Sequence, residues 1–140
     1  MTRTRAPLSI RPGWRRRPVV SRFGLAALLA GSGTLHLVAP APYRRIVPGP
    51  LAFGHPNEIV FITGLIELGC AVAILSPRTR QTGAWATVAL FVAVFPANVK
   101  MALDAGLPGG GWPLAAALLA WLRLPLQVPL ILWARSVGAR

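Results

Sequence analysis

Several polar and charged side chains stand inside the apolar stretches of this chain, where such residues are rare and usually paired or functional. Glu67 and Arg123 are each the single charge deep in their own stretch. A helical rise of about 1.5 Å per residue places both at similar, roughly central depth in a membrane. A guanidinium fork fits a carboxylate, and pairing shares the desolvation cost of the two charges. We therefore expect Glu67 and Arg123 to form a salt bridge.

Other polar residues extend this pair into a stripe. Thr63 and Glu67 share a helix face by their i, i+4 spacing, as do Ser32 and His36. The predicted ligand-binding or structural polar cluster comprises His36, Glu67, Asn98, Lys100, Arg123 and Gln127. Two interpretations stay open. The cluster is either a structural lock, with Lys100 extending toward the surface, or the lining of an outward-facing pocket for a polar headgroup, a quinone or a proton.

Standard catalytic and cofactor motifs are missing from the sequence. There is no P-loop, no dinucleotide-binding glycine fingerprint and no HExxH motif. The spacing of His36 and His55 does not suggest a metal site, and Cys70 is the single cysteine. We predict no catalytic residue, no metal ligand and no cofactor from motifs alone.

The elements that position these residues are four long apolar segments. The chain has 140 residues, of which 54% are hydrophobic and 13% charged. The segments cover about 19–38, 59–75, 84–103 and 112–134, and about 20 apolar residues suffice to cross a bilayer as a helix. We therefore predict an all-α fold, a four-helix transmembrane bundle with short loops over 19–137. Whether 112–121 spans the membrane or lies at its interface stays open.

The charge distribution predicts the orientation of this bundle. The chain has 15 Lys and Arg against three acidic residues, and seven arginines fall within residues 1–22. Residues 1–18 are predicted to be a flexible, Arg-rich cytoplasmic tail. Basic residues near span ends favour the cytoplasmic side, which predicts cytoplasmic termini and outer loops at 39–57 and 104–111. Because the basic residues flank apolar segments, we do not expect nucleic-acid binding.

Prolines and small residues predict local features of the bundle. Pro96, Pro125 and Pro129 lie inside spans and predict kinks. The carbonyls freed near Pro96 and Pro125 are expected to lie close to Asn98 and Arg123. Ala27–Gly31 and Ala93–Ala97 are pairs of small residues one turn apart, which indicates close helix contact there.

Five stretches resemble DoxX-like membrane proteins and together cover nearly the whole chain after Arg22. They are GSGTLHLVAP, YRRIVPGPL, ITGLIELGCAVAILSPRTR, AVFPANVKMALD and RLPLQVPLILWA. The resemblance implies a four-helix integral membrane bundle in a bacterial plasma membrane. It also implies that certain residues match the family's recurrent polar positions, namely His36, Tyr43, Glu67, Asn98 and Arg123. The Arg-rich tail and the extra turn GWPLAAALLAW depart from the family pattern.

The resemblance implies an accessory subunit of a membrane redox system, without catalysis of its own, that holds a bound quinone. The expected partners are the lipid bilayer and a membrane redox enzyme, with a homo-oligomer as an open alternative. A small permease or a membrane assembly factor is the alternative function, in which the polar stripe would be a substrate path or a client groove.

Overall fold

The computed structural model describes residues 19–106 and 112–139, with side chains described from Arg22 onward. The predicted tail at 1–18 lies outside the described residues. Within them the fold is all-α, as predicted. The helices are α1 (Val19–Val38), α2 (Ala41–Ile46), α3 (Gly49–Ala52), α4 (Pro56–Leu75), α5 (Arg80–Ala105) and α6 (Leu114–Gly138).

Three of the four long helices are long and apolar enough to cross a membrane. They are α4, α5 and α6, with mean hydropathies of 2.1, 1.7 and 1.7 over their most apolar windows. In α1 the apolar part searched, Arg22–Val38, is shorter. The helices α4 and α5 begin about a turn before the segments predicted at 59–75 and 84–103. Hydropathy marks where a span is apolar, whereas the helical backbone continues into polar flanks.

The helix α6 answers the question that the sequence left open at 112–121. It begins at Leu114, directly after Pro113, and runs without a break to Gly138. Residues 114–121 therefore belong to the fourth long helix and do not form a separate interfacial element. Before it, α5 ends at Ala105 and is capped by Gly106, whose φ of 65° suits a glycine and whose N–H donates to the carbonyl of Leu103.

The long helices pack as two pairs that α4 and α5 join. The helix α1 packs mainly on α4 and α5 mainly on α6, while α1 and α6 touch over a smaller area. We call the end that carries α2 and α3 the α2 end, and the opposite one the termini end. The main buried apolar cluster draws on all four long helices at the termini end, around Leu25, Ile74, Phe91 and Val137. A smaller cluster joins only α5 and α6 at the α2 end.

Two glycines bring α1 and α4 into backbone contact. A Cβ added at Gly33 would lie 2.7 Å from the carbonyl oxygen of Gly64 and 3.1 Å from Cβ of Glu67. A Cβ at Gly64 would lie 2.9 Å from Cβ of His36. The prediction of a close helix contact at Ala27–Gly31 is wrong, because a Cβ added at Gly31 would have no atom within 4 Å. The close contact uses the single glycine Gly33, on another face of α1, and not a pair of small residues one turn apart.

The glycine contact predicts a contrast between two substitutions in one helix. Gly33→Ala forces α1 and α4 apart and lowers the free energy of unfolding by about 1–3 kcal/mol, as overpacking does. Gly31→Ala fills open space, and it is neutral or raises that free energy by up to about 1 kcal/mol. Unfolding of the detergent-solubilised protein by denaturant measures both. Equal effects at the two positions would show that α1 and α4 are not in backbone contact.

Candidate functional site

The carboxyl group of Glu67 is the centre of a polar cluster between α1 and α4. Glu67 is only 7% exposed. Its Oε1 accepts a hydrogen bond from Oγ of Ser32 at 2.9 Å, and its Oε2 lies 2.8 Å from Nδ1 of His36. The glycine contact one turn earlier in α4 makes this possible, because it brings the α1 side chains next to Glu67. Glu67 is thus held by α1.

The ring of His36 is fixed on one edge and on one face. Its Nδ1 also lies 2.9 Å from the carbonyl oxygen of Ser32, so a single N–H is shared between that carbonyl and Glu67. The contact with Oε2 is therefore a close electrostatic contact without ideal hydrogen-bond alignment. Tyr43 of α2 covers the ring, with centroids 4.0 Å apart and a tilt of 38°. Nε2 has no hydrogen-bond partner among the described residues.

Hydrogen bonds fix α2 over this end of the bundle. Nη1 of Arg44 donates to Oδ1 of Asn57 in α4 at 2.9 Å. Nζ of Lys100 in α5 donates to the carbonyl oxygen of Arg45 at 3.2 Å. The short helix α2 is therefore held from both α4 and α5, which keeps Tyr43 against His36.

A groove of about 470 Å³ adjoins the cluster at the α2 end. It is lined by His36, Leu37, Pro40, Asn57, Glu58, Phe61 and Ile62. Phe61 and Ile62 are 54% and 50% exposed, so the groove is open at the side of the bundle. Its volume falls within the range of small-molecule sites, which typically are apolar with a few polar groups. The arrangement can bind an amphipathic ligand.

The expected salt bridge between Glu67 and Arg123 is wrong. Arg123 is exposed, and its Nη1 lies 3.8 Å from Sδ of Met101 in α5. Helical side chains lean toward the helix N-terminus, and α6 begins at the α2 end. The guanidinium therefore reaches toward that end, to a methionine one turn from where α5 ends. Arg123 is tolerated in an apolar helix because it extends toward the surface.

The amides of Asn98 and Gln127 form a second group, between α5 and α6. Nδ2 of Asn98 donates to Oε1 of Gln127 at 3.2 Å, and Nε2 of Gln127 donates to the carbonyl oxygen of Phe91. Pro96 has no N–H and so removes the helical donor of the Val92 carbonyl, which is next to the carbonyl of Phe91. Gln127, which is 5% exposed, uses both ends of its amide within the bundle.

Lys100 belongs to a third group, near the surface. It pairs with Asp104 one turn later in α5 and donates to α2. The single stripe predicted from the sequence is therefore wrong. Its members divide among the Glu67 cluster, the pair of Asn98 and Gln127, the pair of Lys100 and Asp104, and Arg123 beside Met101. Within the described part of the chain, no three His, Cys, Asp or Glu side chains are placed to hold a metal ion.

Two residues of the site lie outside the predicted cluster. Ser32 and Tyr43 complete the surroundings of His36 and Glu67. For Ser32 the signal was its i, i+4 spacing with His36. Only the family resemblance singled out Tyr43, because a contact made by a short helix in a connecting segment leaves no periodic pattern in the sequence.

The separation of Glu67 from Arg123 predicts additive substitutions. Glu67→Ala removes the acceptor of the Ser32 hydroxyl and the carboxyl group in contact with His36, and it lowers the free energy of unfolding by about 1–3 kcal/mol. Arg123→Ala removes an exposed side chain and changes it by about 0.5 kcal/mol or less. Groups without shared partners add within about 0.5 kcal/mol. A double-mutant cycle in detergent measures this, and a coupling energy well above that limit would contradict the geometry.

The amide pair predicts a cost for an apolar replacement. Gln127→Leu keeps the side-chain volume but removes the donor to the Phe91 carbonyl and leaves the half-buried amide of Asn98 without its acceptor. It lowers the free energy of unfolding by about 1–3 kcal/mol. Gln81→Leu is the control, because Gln81 is an exposed residue in the first turn of α5. The two variants behaving alike in denaturant unfolding would rule out the role given to Gln127.

Comparison with known proteins adds one family assignment. No curated protein and no solved structure matches the chain. A family model described as "Domain of unknown function (DUF8561)" matches residues 25–138. The match runs from the first half of α1 to the last residue of α6, and it includes every residue of the Glu67 cluster and the groove. The chain therefore belongs to the DUF8561 family of domains of unknown function.

Proposed function

We propose that this chain crosses a bacterial plasma membrane four times and binds a quinone-type ligand as a non-catalytic accessory subunit of a membrane redox system. The three apolar helices α4, α5 and α6 support the membrane setting. The helix α1 has 20 residues, enough to act as the fourth span. The resemblance to DoxX-like proteins supports the redox setting, and in this proposal a partner enzyme carries out the electron transfer.

The charge distribution supports an orientation with the α2 end outside. Arg78, Arg80 and Arg135 lie at the termini end, and the Arg-rich stretch before α1 adds to them. The α2 end carries fewer basic residues, chiefly Arg44, Arg45 and Lys100. Positive residues are enriched on the cytoplasmic side of membrane proteins, so both termini are cytoplasmic and the groove faces the outer leaflet.

The position of His36 in the groove is the observation that carries the binding proposal. His36 lies two residues before the end of α1, close to the membrane surface, whereas Phe61 and Ile62 lie in the second turn of α4. The groove thus offers a polar contact beside an apolar wall that opens toward lipid. A quinone has the matching form, a ring with oxygen atoms joined to an apolar tail. Its ring oxygen would bond Nε2 of His36, and its tail would leave between Phe61 and Ile62.

The proposal predicts that binding depends on one of the two histidines. The purified protein binds a short-tailed benzoquinone, and His36→Phe weakens binding at least about tenfold, the equivalent of one lost hydrogen bond of about 1.4 kcal/mol. His55→Phe leaves binding unchanged, because His55 is exposed and does not line the groove. Isothermal titration calorimetry in detergent measures the affinity of the unaltered protein and of the two variants. Absence of binding to the unaltered protein would end the proposal, and equal binding by His36→Phe would remove the site.

A further inference from the structure

We infer that the termini end of the bundle binds the phosphate group of an anionic phospholipid. The inference uses the membrane setting that the apolar helices give, and it is independent of the quinone and of the groove. The surface concerned, which we call the basic end face, consists of four arginines at the ends of long helices. They are Arg22 in the first turn of α1, Arg78 and Arg80 at the start of α5, and Arg135 in the last turn of α6.

Packing of the helix ends brings the basic end face together. The end of α6 packs on the start of α1, since a Cβ added at Gly24 would lie 3.1 Å from the ring of Trp133. It also packs on the first turns of α5, since a Cβ added at Gly138 would lie 2.8 Å from Cβ of Ala84. Arg135 stands between Trp133 and Gly138 in the sequence of α6. The arginines of α1, α5 and α6 therefore lie on helix ends that touch one another.

The chain has no acidic side chain with which to neutralise the basic end face. Its three acidic residues are Glu58, Glu67 and Asp104. Glu58 is in the first turn of α4 and Asp104 is in the last turn of α5, so both belong to the α2 end. Glu67 is buried in the middle of α4, where it contacts α1. The counter-charge of the basic end face must therefore come from outside the chain.

The arginines of this face also have unused hydrogen-bond donors. Within the described part of the chain, Nε of Arg22 and Nε of Arg80 are buried without a partner. Both side chains are half-buried, and a charge that is partly removed from water is costly unless it is paired. The α2 end differs, because there Arg44 donates to α4 and Lys100 pairs with Asp104. An anion bound at the basic end face would supply the missing acceptor.

The surroundings of the face favour a phospholipid as the source of that anion. The guanidinium of Arg22 lies over the ring of Phe23, 4.9 Å from its centre, and this ring is exposed. Leu132, one turn before Arg135 in α6, is exposed as well. Guanidinium groups bind phosphate oxygens in pairs, and basic residues beside membrane spans attract anionic lipids. A phospholipid satisfies both kinds of surface with its phosphate and its acyl chains, whereas a free phosphate ion would leave the apolar side chains uncovered.

The test is native mass spectrometry of the full chain in detergent, titrated with phosphatidylglycerol or with phosphatidylcholine of the same acyl chains. The unaltered protein binds the anionic phosphatidylglycerol at least about tenfold more tightly than the zwitterionic phosphatidylcholine. The double variant Arg22→Gln, Arg80→Gln reduces this preference to less than about threefold. The double variant Arg45→Gln, Arg123→Gln is the matched control. It removes two exposed arginines outside the basic end face, and it keeps the preference.

Nitrogen NMR of the arginine side chains locates the lipid in the unaltered protein. Phosphatidylglycerol shifts the Nε signals of Arg22 and Arg80, which Arg22→Lys and Arg80→Lys identify, whereas phosphatidylcholine and inorganic phosphate leave them in place. Signals that phosphatidylglycerol does not move overturn the inference. So do equal binding of the two lipids and equal losses in the two double variants. Signals that move equally with inorganic phosphate would show a site for the free ion, which also overturns it. None of these results bears on the quinone proposal.

Discussion

The contact between Gly33 and Gly64 is the constraint on which the polar site depends. Without side chains at these positions, the backbones of α1 and α4 approach closely enough for Ser32 and His36 to reach Glu67. Apolar side chains gain little from burial against each other when lipid is the alternative, so close backbone packing and hydrogen bonds hold such helices together. In the α1–α4 pair both contribute. The two glycines allow the backbones to approach closely, and this approach brings Ser32 and His36 into contact with the carboxyl group of Glu67.

The two ends of the bundle differ in how they are packed. At the termini end, Leu25, Ile74, Phe91 and Val137 belong to a cluster that joins all four long helices. At the α2 end, polar contacts of the short helix α2 connect α4 with α5, and the groove lies beside them. A well-packed apolar end and a more polar end suit a binding site, because the packed half fixes the helix directions while the other half leaves room for a ligand.

The sequence was sufficient to predict the long helices but not to predict which partners Glu67 and Arg123 contact. The apolar segment at 19–38 coincides with α1, since hydropathy and helix length respond to the same apolar run. Depth counting placed Glu67 and Arg123 at one level, and a position along the axis says nothing of the face or of the direction in which a long side chain leans. Arg123 therefore contacts Met101, while Glu67 contacts His36 on the neighbouring helix. Choosing Gly33 rather than Gly31 likewise requires the helix rotation, which a weakly amphipathic sequence does not specify.

The polar groups inside this bundle can be sorted by whether their hydrogen-bonding capacity is used within the protein. Gln127 uses both ends of its amide, one with Asn98 and one with the carbonyl of Phe91 in α5, which is a structural use. Thr87 is fully buried, and its hydroxyl donates a hydrogen bond to the carbonyl of Gly83 in the same helix. His36 differs from both, because Glu67, Ser32 and Tyr43 fix its ring while Nε2 keeps no partner among the described residues. The contacts of the ring hold α1, α2 and α4 together, but a ring nitrogen left without a partner beside a groove adds nothing to the fold. It is what binding a ligand oxygen requires, and for this reason the Glu67 cluster, not Arg123 or the amide pair, is where function should be sought.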